Sequence, residues 1–259
     1  MARIDTLVEG PIGWLVLDNP ERRNAMNQEM YAAVPDAMRR LVTSGDVRVV
    51  VVRGAGEVAF GAGSDISEFP DKRDRERWPT YARIEHEAHE AVRAAPVPVL
   101  AMIHGPCRGG GAALALCTDL RYAADGATFA VPPARLGVGY PVDGYETLAA
   151  AVGIARAKEL TFTARVIDAT EALGLGLIHE VVATADLEPR VREVAAEIAA
   201  LAPLTLRSAK TVLTELGRPE SQRDVAAMEA SVRFCYDSAD YQEGIAAFLE
   251  KRRPDFSGR

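Results

Sequence analysis

Three consecutive glycines, Gly109 to Gly111, are the residues best placed for chemistry in this sequence. An apolar run before them predicts a buried strand over Val97–Ile103, and an Ala/Leu-rich segment predicts a helix from about Ala112. The first amides of a helix lack partners within it, and glycine leaves them open to a ligand. Such amides bind anions. They also stabilise a carbonyl oxygen that becomes negative during a reaction, by about 3–4 kcal/mol per donor in the transition state. Tight strand–helix packing is the alternative interpretation.

A second glycine-rich loop, FGAGSDISEF at 60–69, offers further main-chain amides. It follows the β-branched run Val47–Val52, which predicts a strand buried on both faces. The letters GAGEVA at 54–59 match a dinucleotide-binding fingerprint, but a glycine-rich loop follows instead of an amphipathic helix. We therefore expect no nicotinamide dinucleotide. The charged segment 70–79 is expected to form one wall of a pocket.

Length, charge and cysteine usage narrow the class of protein. The chain has 259 residues, 48% of them hydrophobic, which is enough for one large domain or one domain with an appendage. A formal charge of −7 argues against nucleic acid as the main partner. Three cysteines without CxxC spacing predict reduced thiols, and we expect a cytoplasmic protein that is neither exported nor membrane-spanning. His86 and His89 lack a clustered third ligand, so no metal is expected.

The remaining pattern predicts an α/β protein with a helical C-terminal part. A strand at Ile12–Leu17 is followed by a polar loop that carries Arg22, and Asn27 can cap a helix over Gln28–Val42. Charged loop residues are usually only solvated, but arginine is also the usual phosphate partner. Further helices are predicted at Thr80–Ala94, Arg156–Thr161, Asp168–Leu175, Asp186–Leu201, Pro203–Leu216, Ser221–Tyr236 and Ala239–Arg252.

Five segments in this order resemble the crotonase (enoyl-CoA hydratase/isomerase) superfamily over nearly the full chain. They are LDNPERRNAMN, VVVRGAGEVAFGAGSDISEF, PVLAMIHGPCRGGGAALALCTDLRYA, ATFAVPPARLG and YQEGIAAFLEKRRPDF. The resemblance implies an α/β spiral of ββα units at 1–198 that binds acyl-CoA. It also implies a helical region at 199–259 that builds homotrimers, often paired into hexamers. The implied partner is an acyl-CoA thioester, with coenzyme A as part of the substrate and no separate cofactor.

The resemblance also implies which residues contact this ligand. The thioester oxygen would lie between the amides of Ser64 and Gly110, which agrees with the loop chemistry above. The adenine of coenzyme A would lie against the main chain of the 62–66 loop, and Arg22 would lie near the phosphates. Phe248 and Lys251 of a neighbouring subunit would lie near the coenzyme A moiety. The residues implied in coenzyme A binding are Arg22, Ala62, Ser64, Ile66, Phe248 and Lys251.

The sequence departs from the hydratases of the superfamily at both catalytic glutamates. One of those glutamates falls on Ala113 and the other on Pro133, and neither residue can move a proton. We therefore do not expect hydration by two carboxylates. Superfamily members recruit other catalytic groups from the segment that follows, which here contains Tyr140, Asp143 and Glu146.

Three functions remain open on these residues. The LGV-x-Y pattern resembles the methylmalonyl-CoA decarboxylase group, in which a tyrosine faces the departing carboxylate. Tyr140 is thus the first candidate, although that group has a histidine at Ser64 and a glutamate at Ala113. Decarboxylation needs no strong base, because two amides stabilise the enolate oxygen. Alternatively, Asp143 or Glu146 is the acid/base of a hydratase or isomerase, or the protein binds acyl-CoA without chemistry. Asp143 could also be only a helix N-cap or turn residue.

Overall fold

The computed structural model describes residues 1–259 and contains nine strands, ten α-helices and five short 3₁₀ helices. The strands are β1 (Arg3–Glu9), β2 (Ile12–Asp18), β3 (Val49–Gly54), β4 (Val99–Ile103), β5 (Pro106–Arg108), β6 (Leu120–Ala124), β7 (Thr128–Ala130), β8 (Ile167–Asp168) and β9 (Glu180–Val182). The helices are α1 (Gln28–Thr43), α2 (Phe69–Lys72), α3 (Trp78–Arg93), α4 (Gly110–Leu116), α5 (Val142–Thr163), α6 (Ala169–Gly174), α7 (Leu187–Ala199), α8 (Pro203–Leu216), α9 (Val225–Tyr236) and α10 (Ala239–Glu250).

The strands form two sheets. The six-stranded sheet has the order β1-β2-β3-β4-β6-β9, and a three-stranded sheet has the order β5-β7-β8. In the larger sheet only the β1–β2 hairpin is antiparallel, and every later neighbour is parallel. The α/β class predicted from the sequence is therefore confirmed.

The β-branched run in β3 explains why this sheet has a core on each face. Val50 and Val52 belong to the larger core, while Val49 and Val51 belong to the smaller one, and all four are fully buried. Successive side chains of a strand point to opposite faces, so an uninterrupted apolar run needs cover on both sides. Helix α7 supplies apolar residues to the smaller core, and α1 and α3 supply them to the larger one.

Several element boundaries differ from the sequence-based expectations for local physical reasons. Helix α4 begins at Gly110, two residues earlier than expected, because Gly109 adopts a positive φ of 50° and ends the preceding strand region. The expected helix at 156–161 is the second half of α5, which is interrupted at Gly153. Helix α9 starts at Val225, where the Asp224 side chain accepts from the amide of Ala227.

The C-terminal helices leave large apolar side chains in contact with solvent. Phe248 is 82% exposed and Leu249 73% exposed on α10, and Phe234 on α9 is 60% exposed. None of the helices combines the length and apolar character needed to cross a lipid bilayer. The division into a 1–198 core and a 199–259 helical region remains a prediction.

Candidate functional site

Two main-chain amides from separate loops have no hydrogen-bond partner and lie close together. Neither Ser64 N nor Gly110 N donates a hydrogen bond within the chain. A Cβ built on Gly110 would lie 3.3 Å from Ser64 N. Since N and Cβ of one residue are roughly 2.5 Å apart, the two nitrogens are separated by at most about 6 Å. By distance, one oxygen atom can reach both, because a hydrogen bond spans about 3 Å.

The loop that carries Ser64 is held from both sides by main-chain hydrogen bonds. On one side, Met26 N donates to Gly63 O at 2.8 Å and Asp65 N donates to Met26 O at 2.8 Å. On the other side, Arg108 N donates to Gly61 O at 2.9 Å. Residues on both sides of Ser64 are therefore fixed, while its own amide is left without a partner.

Glycine is needed where the two loops touch. A Cβ on Gly111 would lie 2.5 Å from Gly61 O, which is main chain and cannot move aside easily. A Cβ on Gly110 would lie 2.1 Å from the hydroxyl oxygen of Tyr31 and 3.0 Å from Ser64 Oγ. The close packing proposed as the alternative role of these glycines is thus present alongside the free amides.

The two residues that carry the free amides, Ser64 and Gly110, line an inner pocket of about 120 Å³ together with Ala113, Pro133 and Tyr140. Ala113 and Pro133, on which the resemblance would place the two glutamates of hydratases, therefore line the pocket and contribute no carboxylate. An outer cavity of about 780 Å³ adjoins the inner pocket, and the two share Phe69, Arg73 and residues 138–141. A ligand can thus extend from one space into the other.

The phenol of Tyr140 is in the inner pocket but is already hydrogen-bonded. Its hydroxyl donates to the carbonyl oxygen of Gly109 at 3.2 Å, directly before the Gly110 amide. Burial raises the pKa of Tyr140 well above its ordinary value, and the nearby Cys117 and Glu85 act in the same direction. Tyr140 is therefore a neutral donor at the edge of the pocket.

Asp143 does not act as a helix N-cap, because Pro141 has that position and Asp143 lies in the first turn of α5. Its Oδ2 is 3.1 Å from Nδ1 of His89 and 3.3 Å from Nδ1 of His86. Burial alone would raise the pKa of Asp143, but the hydrogen bonds from His89 and His86 hold it well below its ordinary value. The carboxylate is thus ionised and bound to two rings.

Glu146 and Asp143 line the outer cavity, and neither lines the inner pocket. Glu146 is exposed to solvent. By contrast, His89 is 2% exposed and lines the inner pocket beside the free amides. Of the three side chains from the 140–146 segment, only Tyr140 reaches the inner pocket directly.

A buried carboxylate that the sequence analysis did not identify lies beside the free amides. Glu85 on α3 is 3% exposed, and its Oε1 accepts a hydrogen bond from Ser64 Oγ at 2.9 Å. Its Oε2 lies 3.3 Å from the Arg73 guanidinium, within ion-pair range but not aligned for a hydrogen bond. Burial raises the pKa of Glu85, although Arg73 and Ser64 lower it in part. A helical spacing of four residues from His89 was the available sequence signal.

The residues implied in coenzyme A binding lie in two separate places. Ala62, Ser64 and Ile66 line the inner pocket. Arg22 is nearby, and one of its terminal nitrogens binds both carboxylate oxygens of Asp65 at 2.8 Å, which leaves its other nitrogens available. Phe248 and Lys251, at the end of α10, do not line the pocket of their own chain.

The fold and site define an α/β protein in which two loop amides, free of partners, meet at a pocket between the glycine turn and α3. The family model described as enoyl-CoA hydratase/isomerase matches residues 9–259. The chain belongs to the enoyl-CoA hydratase/isomerase family, within the crotonase superfamily.

Similar proteins cover between 82% and 100% of the chain. Crotonyl-CoA hydratase of Syntrophomonas wolfei is 31% identical over 248 residues, which are 96% of this chain and 95% of that protein. Methylmalonyl-CoA decarboxylase of Escherichia coli is 35% identical over 217 residues, 82% of each protein. The crystal structure of an enoyl-CoA hydratase/carnithine racemase from Magnetospirillum magneticum matches with a TM-score of 0.93 and 35% identity, covering 100% of this chain and 97% of that one. The crotonase-like fold predicted from the sequence is thereby confirmed.

Proposed function

We propose that this protein binds an acyl-CoA thioester and stabilises an enolate, with the thioester oxygen held by the amides of Ser64 and Gly110. The observation that carries this proposal is that these two amides have no partner and lie within reach of one oxygen. Fixed donors aimed at a developing charge stabilise the transition state more than the ground state, because the charge is small before reaction. Family membership supports the thioester as the ligand class.

The enolate is reached by transfer of a proton at the carbon next to the thioester, as in an isomerase or hydratase. The inner pocket contains Glu85 and His89 but no carboxylate at Ala113 or Pro133. The usual pair of glutamates is therefore absent, and proton transfer has to use groups from α3 or α5. Asp143 reaches this pocket only through His89.

Decarboxylation is the second candidate, and Tyr140 favours it. Loss of CO₂ beside a thioester leaves the bond electrons on the α-carbon, where they form the enolate without a base. The neutral phenol of Tyr140 can orient the carboxylate and then donate a proton. The 35% identity to a methylmalonyl-CoA decarboxylase supports a test of this chemistry.

A ¹³C-labelled thioester tests the proposed donor pair. On binding butyryl-CoA labelled at its carbonyl carbon, we expect the C=O stretching band to shift to lower frequency, because two donors polarise the bond. Gly110→Ala should remove the shift, since its Cβ would stand 3.3 Å from Ser64 N. Gly174→Ala is the matched control, because its Cβ meets no atom within 4 Å. Binding without any shift in the wild type would contradict the donor pair.

A substrate panel then separates the candidate reactions. Enoyl-, hydroxyacyl- and carboxyacyl-CoA compounds are incubated with the protein, and mass spectrometry detects gain or loss of water or loss of CO₂. Binding without turnover of any compound would instead support an acyl-CoA-binding scaffold, the third possibility.

We also propose that coenzyme A contacts involve Arg22 and the 62–66 loop within one chain, and Phe248 and Lys251 from a neighbouring subunit. The free nitrogens of Arg22 suit a phosphate, which arginine binds well. The exposed apolar residues of α9 and α10 support assembly of the chain into a trimer or hexamer. No metal or separate cofactor is required by this chemistry.

A further inference from the structure

Three buried polar groups on one face of α3 have an atom without a hydrogen-bond partner. They are Tyr81, Glu85 and His89, spaced by four residues each, and the atoms are the phenol oxygen, Oε2 and Nε2. Only six such side-chain atoms occur in the whole chain, so half of them lie on this one stripe. Residues four apart share a helix face, and buried polar atoms normally have partners. The stripe therefore indicates a function beyond folding.

The bond to Asp143 determines which nitrogen of His89 carries a proton. An ionised carboxylate only accepts, so Nδ1 of His89 must donate to Oδ2 of Asp143, across 3.1 Å. In the neutral ring, Nε2 is then the nitrogen with the free lone pair. This atom is buried, has no partner, and belongs to a residue that lines the inner pocket.

The position of His89 relative to the free amides follows from its neighbours. Glu85, one turn earlier on the same face, accepts from Ser64 Oγ at 2.9 Å. Tyr31, whose ring meets that of His89 edge-on at 6.4 Å, has its hydroxyl 3.1 Å from the same Ser64 oxygen. His89 is thus one helical turn from Glu85, the residue that binds the Ser64 side chain.

We propose that His89 is the general base of this protein, with Nε2 facing the acyl chain and Asp143 holding the ring through Nδ1. This inference rests on the proposed function, because it needs a thioester in the inner pocket. Asp143 is then a positioning residue and not a group that touches substrate.

The proposed step balances without any further reactant. Nε2 of His89 takes a proton from the carbon next to the thioester, and the C–H bond electrons form a carbon–carbon double bond. The carbonyl electron pair moves onto the thioester oxygen, which the amides of Ser64 and Gly110 bind. The imidazolium then returns the proton to the same carbon or to one further along a conjugated chain. The first return exchanges hydrogen, and the second shifts a double bond.

Other groups near the pocket are less free to act as this base. Oε1 of Glu85 accepts a hydrogen bond from Ser64, and Oε2, which has no hydrogen-bond partner, is held in an ion pair 3.3 Å from the Arg73 guanidinium. The Tyr140 proton is held by Gly109 O. Glu146 is exposed and lines only the outer cavity. Nε2 of His89 is therefore the one nitrogen or oxygen on a buried side chain of this pocket that has neither a hydrogen-bond partner nor an ion-pair partner.

Hydrogen exchange tests the inference separately from net turnover. Butyryl-CoA is incubated with the protein in D₂O, deuterium at the α-carbon is measured by mass spectrometry, and binding is measured by calorimetry. We expect exchange in the wild type and a loss of about 100-fold or more in His89→Gln, the usual size of a general-base contribution. Its dissociation constant for butyryl-CoA should change by less than about threefold, because the amides that hold the thioester remain.

Three further variants, at Asp143, His89 and Glu85, and one control at Glu87 assign the proton transfer. Asp143→Asn should slow exchange by about tenfold or more with unchanged binding, because an amide can hold the ring in the wrong tautomer. His89→Ala should regain exchange when imidazole is added, which a purely structural role would not produce. Glu87→Gln is the matched control for Glu85→Gln, since Glu87 is on the same helix, faces solvent and binds only Arg83.

Each outcome decides between specific alternatives. Exchange that persists in His89→Gln, or is lost in Glu85→Gln alone, overturns the inference and leaves the proposed function standing. Binding without exchange in the wild type also overturns it. Failure of the wild type to bind butyryl-CoA overturns both. If His89→Gln does not fold, as judged by circular dichroism, the exchange rate of Asp143→Asn decides instead. A rate equal to that of the wild type would then overturn the inference.

Discussion

Ser64 Oγ donates a hydrogen bond to Oε1 of Glu85 at 2.9 Å, which ties the loop of a free amide to the middle of α3. Glu85 is 3% exposed, so this contact is formed away from water. A hydrogen bond to a charged group contributes about 1.5–3 kcal/mol to folding stability. The loop and helix are therefore expected to respond together to changes at either residue.

The stability of the wild type relative to Glu85→Gln should fall as pH rises. Burial raises the folded-state pKa of Glu85 above the ordinary 4.5, so the folded chain binds a proton more readily than the unfolded chain. The wild type then loses folding stability as pH rises from 4.5 through the raised pKa of Glu85. The glutamine variant has no titratable group at this position and does not show this loss. Urea unfolding of both proteins from about pH 4 to pH 8 measures the difference. A difference that stays constant across this window contradicts the prediction.

Tyr140→Phe separates the two candidate reactions. The change removes the hydrogen bond to Gly109 O and should cost about 1 kcal/mol of unfolding free energy. If the protein is a decarboxylase, kcat on a carboxyacyl-CoA should fall by about 100-fold, because the proton donor is lost. If it transfers protons through another group, α-hydrogen exchange should stay within a few-fold of wild type. Steady-state kinetics on both substrate types distinguishes these results.

Gly111→Ala should destabilise the protein and displace the loop that carries Ser64. Its Cβ would lie 2.5 Å from Gly61 O and 3.0 Å from Gly61 C, so main chain has to move. Overpacking of this kind costs about 1–3 kcal/mol. Thermal unfolding of Gly111→Ala beside Gly174→Ala, whose Cβ has open space, provides the comparison. Equal melting temperatures for the two variants would show that the loops do not need their close approach.

Replacement of exposed apolar residues on α10 should weaken self-association. Phe248 is 82% exposed and Leu249 73% exposed, and burying such a side chain contributes about 1.5–3 kcal/mol. We expect the wild type to sediment as a trimer or hexamer and Phe248→Ser/Leu249→Ser to shift towards monomer. Val58→Ser is the control, because Val58 is 69% exposed but lies in a loop outside the C-terminal helices. A monomeric wild type would exclude the proposed assembly.

The sequence by itself was sufficient for features that depend on near neighbours. The β-branched run predicted β3, the Asn27 side chain predicted the start of α1, and the glycines predicted a turn with open amides. Strand burial, helix capping and glycine conformation act over a few residues, so their signals are local. The order of motifs also predicted the fold. That the pocket lacks the glutamates of hydratases at Ala113 and Pro133 stays a prediction, although both residues line the pocket.

Only the tertiary structure decided which distant side chains share the pocket. Glu85 and His89 had no local signal beyond helical spacing, yet α3 packs so that one bonds Ser64 and the other bonds Asp143, 21 and 54 residues away along the chain. Conversely, Glu146 has suitable chemistry but faces the outer cavity. A side chain's partners are set by how elements pack, and packing depends on contacts across the whole core, which no single segment encodes.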